Sequence, residues 1–225
     1  MSTSLRLVIG NKNYSSWSMR PWVLARQAGI AFEEVQLKFD DAGRPRGIQS
    51  YGVAGKVPVL LIDGNAVWDS LAICETLAER FPEKQLWPAE RTARQVARSI
   101  CAEMHSGFEP MRSAMPMNIR GSYPGKGMNE KSRRDIDRIV AIWNTCREKF
   151  GKGGAMLFGR FSVADAYFAP VVMRFQTYAV DVPRGAQAYC DAVRGLHSVR
   201  EWMEGARRET EFVETDEPYA PRHRK

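Results

Sequence analysis

The sequence predicts a mixed α/β domain built on a four-stranded sheet, followed by an all-α domain. Three observations predict it. The first 80 residues alternate strand-like and helix-like segments, those segments end in an antiparallel hairpin that runs straight into a capped helix, and beyond about residue 90 only long helical periodicities remain.

Residues 5–9, Leu-Arg-Leu-Val-Ile, form the first strand, and Gly10-Asn11-Lys12-Asn13 turns out of it. A helix follows with Trp22, Val23, Leu24 and Ala28 in its apolar pattern. Proline is tolerated in a first helical turn, so Pro21 puts the helix start between Ser16 and Arg20, with Gly29 as the stop. Residues 31–37 read as the second strand. From 38 to 51, Gly43, Pro45 and Gly47 allow no more than a short irregular helix.

The stretch from Gly55 to Leu77 organises the domain. Residues 59–62 and 66–68 are β-prone runs separated by Asp63-Gly64-Asn65, a hairpin signal, and Ser70 is placed to cap a helix carrying Leu71, Cys74, Leu77 and Ala78 at core-facing spacing. A crossover between the first two strands and a hairpin at the end give a mixed sheet with helices on its faces. A Rossmann arrangement would need a glycine-rich turn after the first strand, and Gly10-Asn11-Lys12-Asn13 does not supply one. Pro58 lacks a backbone donor and so belongs at a strand start. Locally, a trans Val57–Pro58 bond is the simpler reading; a cis bond would turn the Val57 main chain outward, toward something extended lying alongside.

Residues 82–90 read as a linker. Val96, Ile100, Met104, Phe108 and Met111 stripe one long helix over 91–115, with Pro110 predicting an interruption near Ser106-Gly107. Residues 114–127 form a crossing loop, and 129–150 form a second long helix on Ile136, Ile139, Val140, Trp143 and Phe150. Ser162 and Asp165 have capping-box spacing ahead of a helix that is apolar nearly all round, hence central and buried. Helical segments over 185–193 and 196–208 follow, and the last fifteen residues read as an extended wrapping tail. The predicted division is residues 1–81, a linker over 82–90, and a helical domain over 91–225.

At 225 residues, 44% hydrophobic and 26% charged, the composition is that of an ordinary soluble protein. No apolar run is long enough for a membrane span, and the N-terminal residues lead into a strand without a secretory apolar segment, so a cytoplasmic location is expected. Cys74, Cys101, Cys146 and Cys190 show neither metal nor redox-pair spacing and read as buried thiols. With His105, His197 and His223 as the only histidines, no metal site is expected. The net charge of +7 is spread through the second half among acids, which describes a solvated surface and not a nucleic-acid face; Arg222-His223-Arg224-Lys225 reads as a frayed terminus.

Two junctions carry possible chemistry. Ser15, Ser16 and Ser18 sit where the first strand meets its helix, and free N–H groups at a helix start stabilise negative charge. These serines serve equally as simple caps. Asp69-Ser70 is a second such junction, where Ser70 and the following amides suit a carboxylate and Asp69 suits an ammonium. A proline-bounded strand between two helix starts would clamp a small peptide with opposite charges at its ends.

On these residues the chain resembles the cytosolic glutathione transferases. Lys56-Val57-Pro58-Val59-Leu60 is similar to the family's cis-proline segment, Trp68-Asp69-Ser70 to its acid-serine motif, and Phe161-Ser162-Val163-Ala164-Asp165 to its capping box and hydrophobic staple. Ser15-Ser16-Trp17-Ser18-Met19-Arg20 resembles the active-site segment of the serine-type classes, including the zeta class that contains maleylacetoacetate isomerases. Two departures stand out: Trp17 occupies the cysteine position of the zeta pattern, and Asp69 replaces a commoner glutamate.

The resemblance implies a thioredoxin-like first domain, a homodimer, glutathione as co-substrate, and a small-molecule electrophile as its partner, with no nucleic acid and no membrane. It implies that Ser15 hydrogen-bonds the glutathione thiolate, with Ser16 as helper or rival. Val57 would bind the cysteinyl main chain across cis Pro58, Asp69 and Ser70 the γ-glutamyl end, and Lys56 the glycyl carboxylate. The acceptor would lie against the helix after the linker, where Tyr14, Met104, His105, Phe108, Met111, Arg112 and Met115 are candidate lining residues, although a methionine and aromatic stripe is also what plain core looks like. Ser15 and Ser18 stand where a redox relative has cysteines, which argues against glutaredoxin-like chemistry. The expected activity is transfer of glutathione to an electrophile. The alternatives are glutathione-dependent cis-trans isomerisation and a non-catalytic binding or assembly module.

Overall fold

The computed structural model describes residues 4–52 and 54–221. The reading of residues 222–225 as a frayed terminus therefore lies outside the described residues. The first half is β1 (Leu5–Ile9), α1 (Ser16–Gln27), β2 (Glu33–Gln36), β3 (Val59–Ile62), β4 (Asn65–Val67) and α2 (Ser70–Arg80), with a 3-10 turn at Ile48–Ser50. The second half is α3 (Arg91–Ser106), α4 (Glu109–Ala114), α5 (Glu130–Phe150), α6 (Val163–Thr177), α7 (Arg184–Gly195) and α8 (His197–Arg208).

The sheet order is β2-β1-β3-β4. β1 runs parallel to β2, with Val8 opposite Val35, and antiparallel to β3, with Leu7 opposite Leu60. The β3–β4 hairpin closes through Asp63 and Gly64, both at positive φ (50° and 88°), the two-residue turn whose twist matches the strands it joins. Strand alternation sorts the side chains. Leu5, Leu7 and Ile9 point into the main core with α1 and α2, while Val8 joins Val59 and Ile48 on the opposite face. That second face is thus covered by the 3-10 turn and its loop, not by a long helix.

The main core continues from the sheet through α1 into α6, whose residues are buried on every side. The start of α6 is fixed by the predicted capping box. The Asp165 carboxylate accepts from Ser162 N at 2.9 Å and Ser162 Oγ at 3.1 Å, and also from Leu157 N at 3.0 Å and Tyr189 Oη at 3.2 Å. Burial nevertheless pushes its pKa up to about 6.

Three local expectations are corrected. The second strand is shorter than 31–37. Pro21 lies in the second turn of α1, not the first, so it cannot donate to the Trp17 carbonyl. Asp69, not Ser70, caps α2, accepting from Leu71 N at 3.1 Å. The interruption expected near Ser106-Gly107 is present and splits the stretch into two helices: Gly107 is extended and Phe108 left-handed (φ 59°), which turns α4 away from the axis of α3. The part of the expected tail that lies within the described residues does wrap back. Just ahead of it Glu209 accepts from Asn13 N at 3.0 Å and Lys12 N at 2.6 Å, and within it Glu217 accepts from Tyr14 Oη at 2.7 Å and Tyr123 Oη at 2.8 Å.

Candidate functional site

The turn between β1 and α1 is held from three directions. Asn11 Oδ1 accepts from Phe39 N at 2.7 Å, Asn13 Oδ1 from Arg120 N at 2.9 Å, and the Lys12 carbonyl from Trp202 Nε1 of α8 at 2.9 Å. This fixes the first turn of α1. Ser15 is its N-cap; its hydroxyl donates to Ser18 Oγ at 2.8 Å, and Ser18 Oγ also accepts from Gly10 N at 3.1 Å. Ser16 Oγ instead accepts from Arg174 Nη2 of α6 at 3.3 Å, which leaves its own hydrogen free to donate.

This turn faces a cleft of two adjoining compartments. One, of about 630 Å³, is lined by Tyr14, Ser15, Ser16, Arg112 and Arg174, with Thr215 and Asp216 of the tail. The other, of about 460 Å³, is lined by Pro58, Asp69, Ser70 and His105. Trp17, Lys56 and Val57 line both. The Val57–Pro58 bond is cis.

The structure therefore gathers Tyr14, Ser15, Ser16, Lys56, Val57, Pro58, Asp69, Ser70, His105 and Arg112 around one cleft. It does not place Met104, Met111, Met115 or Phe108 there. The three methionines have 0% exposure and Phe108 is buried at 8%, all in the main core. The break at Gly107-Phe108 is the reason: α4 presents Glu109, Arg112 and Ser113 to the cleft and turns its apolar side inward. Nor does His105 line the larger of the two compartments. Its Nε2 lies 3.2 Å from Asp69 Oδ2 and its Nδ1 3.2 Å from Tyr167 Oη.

Arg20, Tyr167, Arg174 and Asp216 were not among the sequence candidates. Arg20 is fully buried, with its guanidinium 4.1 Å from the Trp17 ring centroid, and Arg112 lies 5.3 Å from the same ring. Burial brings Arg20 down to about 10 and Arg174 down to about 9, so both remain cations at neutral pH. The available signal for Arg174 was the one basic residue in a helix that is otherwise apolar nearly all round beyond its Asp165 cap, a position that is costly without a polar role. The Tyr14 hydroxyl is engaged by Glu217, and burial followed by that hydrogen bond pushes its pKa up to about 12. Among the described residues no cluster of metal-ligating side chains occurs.

The cleft is thus a polar half around Asp69-Ser70, a shared wall at Val57, and a cation-rich half at the start of α1. Such an arrangement accommodates a zwitterionic peptide with an anion at the helix terminus.

The family model described as glutathione S-transferase, N-terminal domain, matches residues 14–80, and the one described as glutathione S-transferase, C-terminal domain, matches residues 129–207. A probable maleylacetoacetate isomerase from Caenorhabditis elegans is 30% identical over 168 residues, 74% of this chain and 77% of that protein. The maleylacetoacetate isomerase of Rattus norvegicus is 27% identical over 172 residues, covering 75% and 77%. Among solved structures, a glutathione transferase homologue from Burkholderia with bound glutathione has a TM-score of 0.71 at 22% identity, covering 92% of this chain and 100% of that one. Glutathione transferase Omega 2S from Trametes versicolor has a TM-score of 0.70 at 19% identity, covering 92% and 96%. At these identities the structures speak for the fold.

Proposed function

This chain belongs to the glutathione S-transferase family, and on that premise we propose that it is an enzyme that transfers the sulfur of glutathione to a small electrophile. The observation that carries the reading is the single cleft in which Val57, ahead of cis Pro58, stands between Asp69-Ser70 and the serine-bearing start of α1.

Glutathione lies with its γ-glutamyl ammonium at Asp69, its γ-glutamyl carboxylate at Ser70 and the first amides of α2, and its cysteinyl main chain along Val57. Its glycyl carboxylate meets Lys56. The sulfur then reaches the first turn of α1. Ser15 turns its hydrogen from Ser18 to the sulfur, while Ser18 Oγ keeps the Gly10 amide. Ser16 serves as second donor, polarised by Arg174. Donors and helix amides aimed at a sulfur favour the thiolate, and the thiolate is the nucleophile. It attacks the electrophilic carbon, forming a carbon–sulfur bond as the leaving group departs or, in an addition, as the adjacent carbon takes a proton. Arg112 and Arg174 suit an acceptor bearing a carboxylate or carbonyl group.

The similarity to maleylacetoacetate isomerases favours a second reading, in which the thiolate adds to a cis double bond and is expelled after rotation. Product analysis separates them, because isomerisation consumes no glutathione. We further propose a cytoplasmic homodimer. Among the described residues no helix is long and apolar enough to cross a membrane, and sedimentation velocity tests the dimer.

The decisive experiment is ultraviolet absorbance of the bound thiolate against pH. A charge-assisted hydrogen bond is worth about 1.5–3 kcal/mol, so its loss raises the apparent thiol pKa by about one to two units. Ser15→Ala is expected to do this and Ser16→Ala to do less. An unchanged curve for Ser15→Ala removes that residue from the role, and a larger shift for Ser16→Ala transfers the role to Ser16.

A further inference from the structure

Four polar side chains from both halves of the molecule form one hydrogen-bonded chain beside the polar compartment. His105 of α3 meets Asp69 Oδ2 through Nε2 at 3.2 Å and Tyr167 Oη through Nδ1 at 3.2 Å, and Tyr167 Oη meets Ser70 Oγ at 3.0 Å. Tyr167 and Ser70 are buried, whereas the Asp69 side chain is 54% exposed toward the compartment. We infer that His105 and Tyr167 are positioning residues for the γ-glutamyl end of glutathione, and that protonation of His105 decides whether the Ser70 hydroxyl has a hydrogen to give a carboxylate. The inference rests on the glutathione reading above.

The direction of the chain follows from what each group can do. A carboxylate only accepts, so Nε2 donates to Asp69. In the neutral imidazole Nδ1 then carries a lone pair and must accept from the Tyr167 hydroxyl. Tyr167 keeps its hydrogen, since burial drives its phenol well above the usual range. With that hydrogen committed to His105, Tyr167 Oη can only accept from Ser70. Ser70 therefore spends its hydrogen inside the protein and meets an incoming carboxylate with lone pairs alone.

Adding one proton to His105 reverses the chain. Nδ1–H now donates to Tyr167 Oη, the Tyr167 hydrogen turns to Ser70 Oγ, and the Ser70 hydrogen is released toward the compartment. The Nε2–H bond to Asp69 survives the change, so Asp69 remains placed for an ammonium. A carboxylate binding at Ser70 thereby draws one proton from solvent onto His105. The other charged or titratable groups about this assembly are Arg20 of α1, 4.9 Å from the Tyr167 ring centroid, Arg112 of α4, whose Nη1 donates to the His105 carbonyl at 3.4 Å, Lys56 on the wall of the same compartment, and the buried thiols of Cys74 and Cys101, which burial keeps protonated. Each of these already carries its proton, so the proton taken up is assigned to His105.

The test is calorimetric titration with S-methylglutathione near neutral pH in two buffers of different ionisation enthalpy. The methyl group removes the thiol proton, so the buffer dependence counts protons moved by the protein. The wild-type protein is expected to take up a net fraction of a proton on binding. His105→Gln, which can donate to Asp69 and accept from Tyr167 but cannot titrate, is expected to bind severalfold more weakly with no uptake. Tyr167→Phe keeps the buried ring but breaks the link between His105 and Ser70, so it is expected to lose the uptake. A merely structural role would weaken binding in both variants and leave the proton count alone. Wild-type binding without proton uptake, or uptake that persists in both variants, overturns this inference and leaves the glutathione reading standing. Failure of the wild-type protein to bind S-methylglutathione overturns both.

Discussion

Asp216→Asn is expected to stabilise this protein at neutral pH and above and to do little near pH 4. Asp216 sits in the 3-10 turn Glu214–Asp216, in the part of the tail that lies over the cation-rich compartment. Burial pushes its carboxyl from the ordinary value of 3.8 up to about 6, and the nearby Arg174 only partly opposes this. The folded protein thus holds the proton where the unfolded chain has released it. Stability from this group is fully present below the ordinary value and is lost as pH rises through about 6. A shift of about two units corresponds to about 3 kcal/mol, the cost of keeping the charge under the tail at pH 8. Asparagine has the same shape and no charge. Urea unfolding of the two proteins at pH 4, 6 and 8, followed by tryptophan fluorescence, should show curves that coincide at pH 4 and separate by up to about 3 kcal/mol at pH 8, with the variant more stable. The same change removes a negative charge facing Arg174, so anionic acceptors should show a lower KM. A variant less stable than wild type at pH 8, or a separation that does not vary with pH, would refute the reasoning.

Three further outcomes are expected. Asp165→Ala leaves the buried N–H groups of Leu157 and Ser162 without their acceptor, at about 1–3 kcal/mol each, so thermal unfolding should move down by roughly 5–15 °C. Gly127→Ala puts a methyl group 2.2 Å from the Ala114 carbonyl oxygen at φ +72°, and should lower stability by at least about 2 kcal/mol; purified variant and wild type compared by urea unfolding will show it. Cys74, Cys101, Cys146 and Cys190 are buried, with their thiols pushed upward by burial, to about 11 for Cys146 and Cys190. A disulfide reagent should therefore leave all four untouched over minutes in the folded protein and modify all of them in guanidinium.

Local pattern determined a large part of this protein. Leu5, Leu7 and Ile9 at period two, the Asp63-Gly64 turn, and the Ser162–Asp165 box act over a few residues, and their physics is complete within that span. The same holds for the serines at the start of α1 and for Val57, Pro58 and Asp69-Ser70, which strand and helix ends carry to one end of the sheet. Hence the mixed four-stranded sheet, the helical second half and the residues of the polar floor of the cleft were readable from the chain, whereas the strand order came from the structure.

What the stripe over residues 91–115 faces was not readable. Apolar spacing says only that one side is buried: Met104 of α3 is in the core, and the turn at Phe108 then sets Met111 and Met115 inward while giving Arg112 to the cleft. Arg174 reaches Ser16 across 158 residues of sequence, and Tyr167 reaches Ser70 across 97 and His105 across 62. Only the packing of α6 against α1 and α3 makes those contacts, because hydrogen bonds act over about 3 Å and no sequence spacing encodes which distant donors a folded core brings that close.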